Sequence, residues 1–139
     1  MSRSVVLSCV ILMLAVAGHA QIVKPSISVY GSSAGPTPFI ARLNLKLSPA
    51  AGISQVTWVV RPKPTSVTRP ISATYSANYM RNRGFLTGTG ALNLPVFGLY
   101  SNYTNTVDVV ATFVQGGTVQ TTLTITTPAW RGHRNPSRR

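Results

Sequence analysis

The chain contains 139 residues, with 13 lysines and arginines against a single acidic residue, and its formal net charge is +12. That length fits one domain with one hydrophobic core. Acid–base chemistry that needs two carboxylates is excluded, because Asp108 is the only acid. A metal site needs three or four His, Cys, Asp or Glu ligands in one place, and the two His, one Cys and one Asp of this chain cannot supply them. The composition argues against most classes of enzyme, and no cofactor is expected.

Residues 1–20 form a predicted secretory signal peptide. Arg3 gives a positive start, residues 5–17 are an uncharged apolar run, and small residues lead up to Ala20. The run is shorter than the roughly 20 apolar residues that a membrane-spanning helix needs. We therefore expect cleavage after Ala20, export to the periplasm or the medium, and no membrane span in the mature chain. Cys9 leaves with the signal, so no disulfide is expected.

Apolar and polar residues alternate in several segments of the mature chain, which is the pattern of strands that bury one face. Trp58 shares its phase with Val56 and Val60 and is expected in the core. Proline and glycine separate the segments, and no helical period of useful length appears. The pattern predicts an all-β, Ig-like antiparallel β-sandwich of about seven strands over residues 21–130. In chain order the alternating segments are residues 26–30, 41–47, 55–60, 71–75, 107–113 and 119–125.

The last two segments predict a hairpin. Residues directly opposite each other in an antiparallel pair share a face, and the apolar positions are odd-numbered in both segments, as at Phe113 and Val119. The loop must then contain an odd number of residues. A two-residue turn at Gly116-Gly117 would break that phase, so a three-residue loop at 115–117 is predicted.

Two regions do not follow the strand pattern. Residues 78–93 are rich in Gly, Asn and Arg and are expected to form an irregular crossover with a short strand at most. Residues 131–139 are rich in arginine and are expected to be a basic disordered tail. That tail holds His133, the one histidine of the mature chain, in a setting too mobile for a general base.

The positive charge allows two interpretations. One is an anionic partner, such as nucleic acid, lipopolysaccharide or a sulfated substrate. The other is a set of basic side chains scattered over outward strand positions. The second is favoured because the basic residues are widely spread and no aromatic-plus-basic motif of the RNA-binding type is present. No nucleic-acid partner is expected, and Asp108, on the outward phase of its strand, is expected to be solvated or loosely paired with an arginine.

One stretch is more specific than the rest. Residues 95–100 read Pro-Val-Phe-Gly-Leu-Tyr and precede Asn105-Thr106-Val107 and a strand. This stretch resembles the N-terminal domain of bacterial arylsulfate sulfotransferases, the enzymes that do not use the adenylylated sulfate donor. The resemblance extends over roughly residues 25–128, with further matching segments at residues 29–31, 38–39, 41–43 and 121–127.

The resemblance implies an exported domain that lies beside a catalytic β-propeller, where a sulfated histidine passes a sulfuryl group between phenols. No residue of this chain matches that catalytic motif, so no catalytic residue and no enzymatic activity are expected of it. The chain is expected to be a non-catalytic accessory domain, a truncated or orphaned part of such an enzyme. Its expected partner is a propeller of that type or a second copy. The alternative is a free-standing cell-surface module that binds a protein, a glycan or another anionic partner.

Val96, Phe97, Leu99 and Tyr100 form the candidate interaction face. They make an apolar cluster in a segment that does not alternate cleanly, so some of these side chains are expected to point away from the core or to lie under another element. A face built to dock on a propeller would leave them exposed in the isolated chain. The alternative is that the crossover at residues 78–93 covers them.

Overall fold

The computed structural model describes residues 23–132, so the predicted signal peptide and nearly all of the basic tail lie outside the described residues. A short 3-10 turn, Ala50–Gly52, precedes the third strand, and a helix, α1 (Ala77–Asn82), follows the fourth. The strands in chain order are β1 (Ser26–Ala34), β2 (Ile40–Ser48), β3 (Ile53–Val60), β4 (Ile71–Ser76), β5 (Ala91–Phe97), β6 (Tyr103–Phe113) and β7 (Thr118–Thr127).

The strands form two antiparallel sheets. One has the order β1-β2-β5, and the other has the order β4-β3-β6-β7. Buried side chains from both sheets belong to a single core cluster, so the sheets pack face to face. The all-β, Ig-like sandwich predicted from the alternation is therefore confirmed.

The core follows the predicted phases. β2 buries every second residue from Ala41 to Leu47, and β6 does the same from Asn105 to Phe113. Trp58 on β3 is completely buried, as its phase with Val56 and Val60 predicts. Full burial of a side chain of this size makes Trp58 a large single contributor to the hydrophobic stabilisation.

The expectation of an irregular crossover with a short strand at most at residues 78–93 is wrong at the start of that region, whereas the end of the region holds only the first three residues of a strand. The region begins within α1, whose first turn is capped by Ser76, since the Tyr79 N–H donates to Ser76 Oγ at 3.2 Å. Six residues are too few to show a helical period. The region ends in β5, which buries Leu92, Leu94 and Val96 in strict alternation. That alternation is hidden in the sequence because the exposed positions include alanine and phenylalanine rather than polar residues.

The hairpin between β6 and β7 confirms the predicted phase. Ala111 lies opposite Val119, so odd-numbered residues face odd-numbered residues. The Phe113 N–H donates to the Gly117 carbonyl at 3.1 Å, which closes a three-residue loop at 114–116. The loop therefore has the predicted length but begins one residue earlier, and Gly116 and Gly117 both adopt positive φ, at 86° and 92°.

Candidate functional site

The structure divides the predicted interaction face into two parts. Val96 is completely buried and Leu99 is 2% exposed, so both belong to the core and neither can contact a partner. Phe97 is 43% exposed, and Tyr100 is half-buried. The physical reason is that β5 alternates through Val96, which turns that side chain inward. The candidate face is thereby reduced to Phe97 and Tyr100.

Phe97 ends β5 at the edge of its sheet. Its ring meets the Trp58 ring edge-on, with centroids 4.8 Å apart, so one side of Phe97 contacts the core and the other faces solvent. The next residue, Gly98, has a φ of 77°, and a Cβ atom there would lie 2.5 Å from Ile71 Cδ1. Glycine is therefore required both for the turn and for the close approach of Ile71 from the other sheet.

Further aromatic side chains lie beside Phe97. The backbone brings Phe39 alongside, because the Leu99 N–H donates to the Phe39 carbonyl at 3.2 Å. The Phe39 and Trp130 rings are 5.5 Å apart. The exposed fractions of Phe39, Ile71, Phe97 and Trp130 range from 37% for Ile71 to 52% for Trp130, and Tyr100 is half-buried. We call this surface, at the end of the sandwich where β7 finishes, the exit face; it consists of Phe39, Ile71, Phe97, Tyr100 and Trp130.

A cation lies at the rim of the exit face. Lys63 Nζ is 5.0 Å from the centroid of the Tyr100 ring and 4.5 Å from that of Tyr103. The two rings meet edge-on at 5.8 Å, and the Tyr100 hydroxyl shares a 2.6 Å hydrogen bond with the Thr68 hydroxyl. These contacts join the β3–β4 loop to the β5–β6 loop and place a positive charge over two aromatic rings.

Asn105 fixes the loop that carries Tyr100. It is completely buried at the start of β6, where its Oδ1 accepts from the Tyr100 N–H at 2.7 Å and its Nδ2 donates to the Tyr100 carbonyl at 3.0 Å. Nδ2 also lies within hydrogen-bond distance of the Tyr103 carbonyl, at 3.2 Å. The Thr127 hydroxyl donates to the Tyr100 carbonyl as well. One amide side chain thus positions the whole turn between β5 and β6.

Asp108 forms an ion pair on the outer face of its sheet. Arg61 donates two hydrogen bonds to the carboxylate, from Nε to Oδ2 at 2.6 Å and from Nη2 to Oδ1 at 2.7 Å. The Thr122 hydroxyl also donates to Oδ1, at 2.6 Å. The hydrogen bonds from Arg61 and Thr122 lower the pKa of the Asp108 carboxyl below its ordinary value. Asp108 is therefore paired with an arginine, as its outward phase predicts, but through two short hydrogen bonds rather than loosely.

The pH dependence of stability in the acid range should report on Asp108, because no other acidic side chain exists in the chain. A lowered folded-state pKa gives a stabilisation that is complete above the unfolded value and is lost as pH falls through the folded value. We expect the wild-type protein to lose a small amount of stability below about pH 4. Asp108→Asn should flatten that loss and should be less stable than wild type at pH 7 by a similarly small amount, since it lacks the charged pair at every pH. Denaturant titrations from pH 7 to pH 2 measure both effects. An Asn variant with the wild-type acid profile would contradict this account.

Neither of two grooves on the described part of the chain, residues 23–132, holds a pair of groups for acid–base chemistry. The first, about 340 Å³, lies between the β1–β2 loop and the end of β7 and is lined by Ser, Thr, Pro, Gly, Ala and Ile residues. The second, about 480 Å³, lies beside β5, and Lys46 is its one charged lining residue. The described residues also contain no cluster of three or more His, Cys, Asp or Glu side chains that could ligate a metal. No helix within this range has the length and apolarity that crossing a membrane requires.

Of the exit face, the sequence pattern predicts Phe97 and Tyr100 but not Phe39, Ile71 or Trp130. These three side chains come from distant segments, and only the strand order brings them to one end of the sandwich. A weak local signal does exist, because each follows a proline by one or two residues: Pro38, Pro70 and Pro128.

Comparison with known proteins identifies the family. A family model described as the arylsulfotransferase Ig-like domain matches residues 45–128, and no catalytic propeller family is detected in the 139 residues. Among solved structures, murine CRIg is similar, with a TM-score of 0.41 and 16% identity, covering 78% of this chain and 100% of that chain. No curated protein matches the chain. The family match covers more than half of the sequence and confirms the resemblance seen at residues 95–100, and the chain therefore belongs to the arylsulfotransferase Ig-like domain family.

Proposed function

We propose that this chain is an exported, non-catalytic accessory domain that docks through its exit face onto an arylsulfotransferase-type propeller. The observation that carries the proposal is the meeting of Phe39, Ile71, Phe97 and Trp130, each more than a third exposed, at one end of the sandwich. Exposed apolar side chains concentrated at one end of a domain mark an interaction site. The predicted signal peptide supports export, and the family match supports the choice of partner.

The exit face has the composition of a protein-binding surface. Its centre holds Phe97, which is anchored from below by Trp58, so little side-chain entropy is lost when a partner covers it. Aromatic side chains dominate the remaining area, and the polar rim includes Lys63 and the Tyr100 hydroxyl. The chain has a single acid, so a partner with acidic groups around its docking surface fits best.

Non-catalytic behaviour is supported by the position of the ionisable groups. The only acidic side chain is neutralised by Arg61 on the outer face of a sheet, and it lines neither groove. Tyr100 is engaged with Thr68, and Lys63 lies over aromatic rings rather than beside a base. Nothing in this arrangement activates a nucleophile.

Docking can be measured with an arylsulfate sulfotransferase propeller produced without its own N-terminal domain. We expect the chain from Gln21 onward to bind it, and Phe97→Ser to weaken binding by about tenfold or more, because a central aromatic anchor is removed. Trp130→Ser should also weaken binding. Because Trp130 contacts Phe39 at the surface rather than the core, this second variant keeps the test valid if Phe97→Ser destabilises the fold. Isothermal titration calorimetry gives the dissociation constants.

The matched control is Val114→Ser. Val114 is 72% exposed in the β6–β7 hairpin, at the opposite end of the sandwich, so the same kind of change is made away from the exit face. Its affinity should equal that of the wild-type chain. Equal affinities for Trp130→Ser, Phe97→Ser and Val114→Ser, or no binding by the wild-type chain, would contradict docking through the exit face.

The second candidate function is a free-standing binding module for an anionic glycan or protein. It is favoured by one observation, the Lys63 cation held over Tyr100 and Tyr103 at the loop end of the sandwich. Aromatic rings with an adjacent cation can stack on a sugar and pair with its acidic group. Binding of a sulfated or uronic-acid oligosaccharide that is lost in Lys63→Ala and retained in Trp130→Ser would favour this function over propeller docking.

A further inference from the structure

Four strands lie at sheet edges: β1 and β5 in one sheet, β4 and β7 in the other. The outer side of an edge strand presents unpaired backbone N–H and C=O groups, which can pair with a strand of another chain. Proteins block such edges with short strands, bulges, prolines, charged residues or covering loops. The four edges of this sandwich differ sharply in how well they are blocked.

The β5 edge is covered. The Asn93 N–H donates to the Phe85 carbonyl at 2.8 Å, and the Ala91 carbonyl accepts from the Thr87 N–H at 2.9 Å. The next residue that directs its backbone outward is Pro95, which has no N–H to offer. The segment before β5 and this proline together leave little of the edge available to an added strand.

The edges of β1 and β4 are also interrupted. The pairing of β1 with β2 shifts between Val29 and Gly31, which places a bulge at Tyr30 in the middle of the strand. β4 spans only six residues and is followed at once by α1. A short or bulged edge cannot offer a regular ladder of hydrogen bonds.

β7 has one partial cover, because the end of β1 and the β1–β2 loop lie beside its last residues. Its ten residues include no charged residue and no proline, and its pairing with β6 runs without a shift from Tyr103–Thr127 to Thr112–Thr118. The bond from the Phe113 N–H to the Gly117 carbonyl shows that odd-numbered residues pair with β6. Even-numbered residues of β7 therefore direct their N–H and C=O groups outward. Within residues 23–132 no strand pairs with that side.

We infer that the β7 edge pairs with β7 of a second copy of this chain, antiparallel about a two-fold axis at Thr122, joining two four-stranded sheets into one. In this register, residues of similar polarity lie opposite each other. On the outer face Thr118 lies opposite Thr126 of the second copy, and Gln120 opposite Thr124, so hydroxyl and amide groups meet. On the inner face Val119 lies opposite Ile125, so the two cores become continuous.

The second copy is the occupant that the composition of β7 favours. A two-fold interface requires one surface to be complementary to itself. β7 meets that condition because it is uncharged, with threonines and one glutamine along its outer face and aliphatic residues and two threonines along its inner face. β7 has no charge with which to attract an acidic or basic strand of another protein. Each copy from Gln21 onward has 12 lysines and arginines against Asp108, a net charge of +11, so long-range repulsion opposes pairing, and association should strengthen as salt rises.

Sedimentation equilibrium of the chain from Gln21 onward, which contains the whole described domain, tests the inference. We expect a monomer–dimer equilibrium that shifts toward dimer at higher salt. In the double variant Gln120→Lys with Thr124→Lys, the lysines of the two copies face each other, and dimerisation should weaken by about tenfold or more. The matched control, Ser72→Lys with Thr74→Lys, adds the same charge on β4 at the far edge of the same sheet and should dimerise like the wild-type chain.

Cross-linking gives a second measurement that does not depend on weakened association. Residues paired by hydrogen bonds across an antiparallel ladder have Cα atoms about 5.5 Å apart, which is within reach of a disulfide. The chain from Gln21 has no cysteine, so Thr122→Cys should form a disulfide-linked dimer on mild oxidation, and Ser72→Cys should remain monomeric.

Several results would overturn the inference. They are a wild-type chain that stays monomeric at millimolar concentration, dimerisation unaffected by the two β7 lysines, or equal cross-linking of Thr122→Cys and Ser72→Cys. Hydrogen exchange that shows the even-numbered β7 amides protected at every concentration would mean that another part of the same chain covers the edge. A dimer abolished by Trp130→Ser but not by the lysines would assign self-association to the exit face. The β7 edge and the exit face use different residues, so either proposal can fail without the other.

Discussion

Replacement of Asn105 by leucine is expected to lower the free energy of unfolding by about 3 kcal/mol or more, although the two side chains are similar in size. The amide is completely buried and bonds both backbone groups of Tyr100. Leucine leaves the Tyr100 N–H without its partner in a site that excludes water, and each unmade buried hydrogen bond costs about 1–3 kcal/mol. Denaturant unfolding followed by tryptophan fluorescence measures the change.

Asn93→Leu is the matched control, because Asn93 is exposed on β5 and the backbone bond it makes does not involve its side chain. Its unfolding free energy should lie within about 0.5 kcal/mol of the wild-type value. Hydrogen exchange adds a local readout, since the Tyr100 amide should lose protection in Asn105→Leu. Similar stabilities for the two variants would show that the β5–β6 turn does not depend on the buried amide.

Trp58→Ala should cost about 3–5 kcal/mol, a large share of the stability of an ordinary domain. The side chain is completely buried between the sheets and supports the Phe97 ring, so its removal leaves a cavity that the β-sheets cannot close. The indole Nε1 has no hydrogen-bond partner among the described residues. Trp58→Phe should therefore be milder than Trp58→Ala, since it removes an unsatisfied polar atom while keeping most of the packing.

The same substitution at Trp130 serves as the control, because that indole is 52% exposed. Thermal melting should place Trp130→Ala within a few degrees of wild type and Trp58→Ala far below it. If the two alanine variants melt together, Trp58 does not have the central position in the core that its phase and burial indicate.

The strands that could be predicted from the sequence are those with one face in the core and the other in water. β2, β3 and β6 alternate for this reason, and Trp58 could be placed in the core from its phase alone. α1 is too short to show a helical period. The alternation of β5 is hard to see in the sequence because two of its outward positions hold Ala91 and Phe97, which are not polar. Alternation fails as a signal wherever the outward face is itself apolar.

The exit face could be predicted only in part, for a topological reason. Phe97 and Tyr100 are close in sequence and form a visible apolar cluster. Phe39 joins them because β2 pairs with β5, and Ile71 because it approaches Gly98 from the opposite sheet. These neighbours follow from strand order, which period-two patterning does not specify. Val96 and Leu99 belong to the predicted face but are buried, because a run of apolar residues in the sequence does not show which side chains turn inward.

The antiparallel register has a mechanical consequence. Ser26, at the start of β1, lies opposite the last residue of β2, whereas Thr127, at the end of β7, lies opposite the first residue of β6. The chain therefore enters the described domain at one end of the sandwich and leaves it at the other end. A pulling force applied along the chain would slide β1 along β2 and β7 along β6, loading each ladder in shear, with its hydrogen bonds sharing the load instead of opening one at a time. Resistance to force depends on the rate of unfolding, and this geometry suits a domain that must stay folded when a tethered neighbour pulls on it.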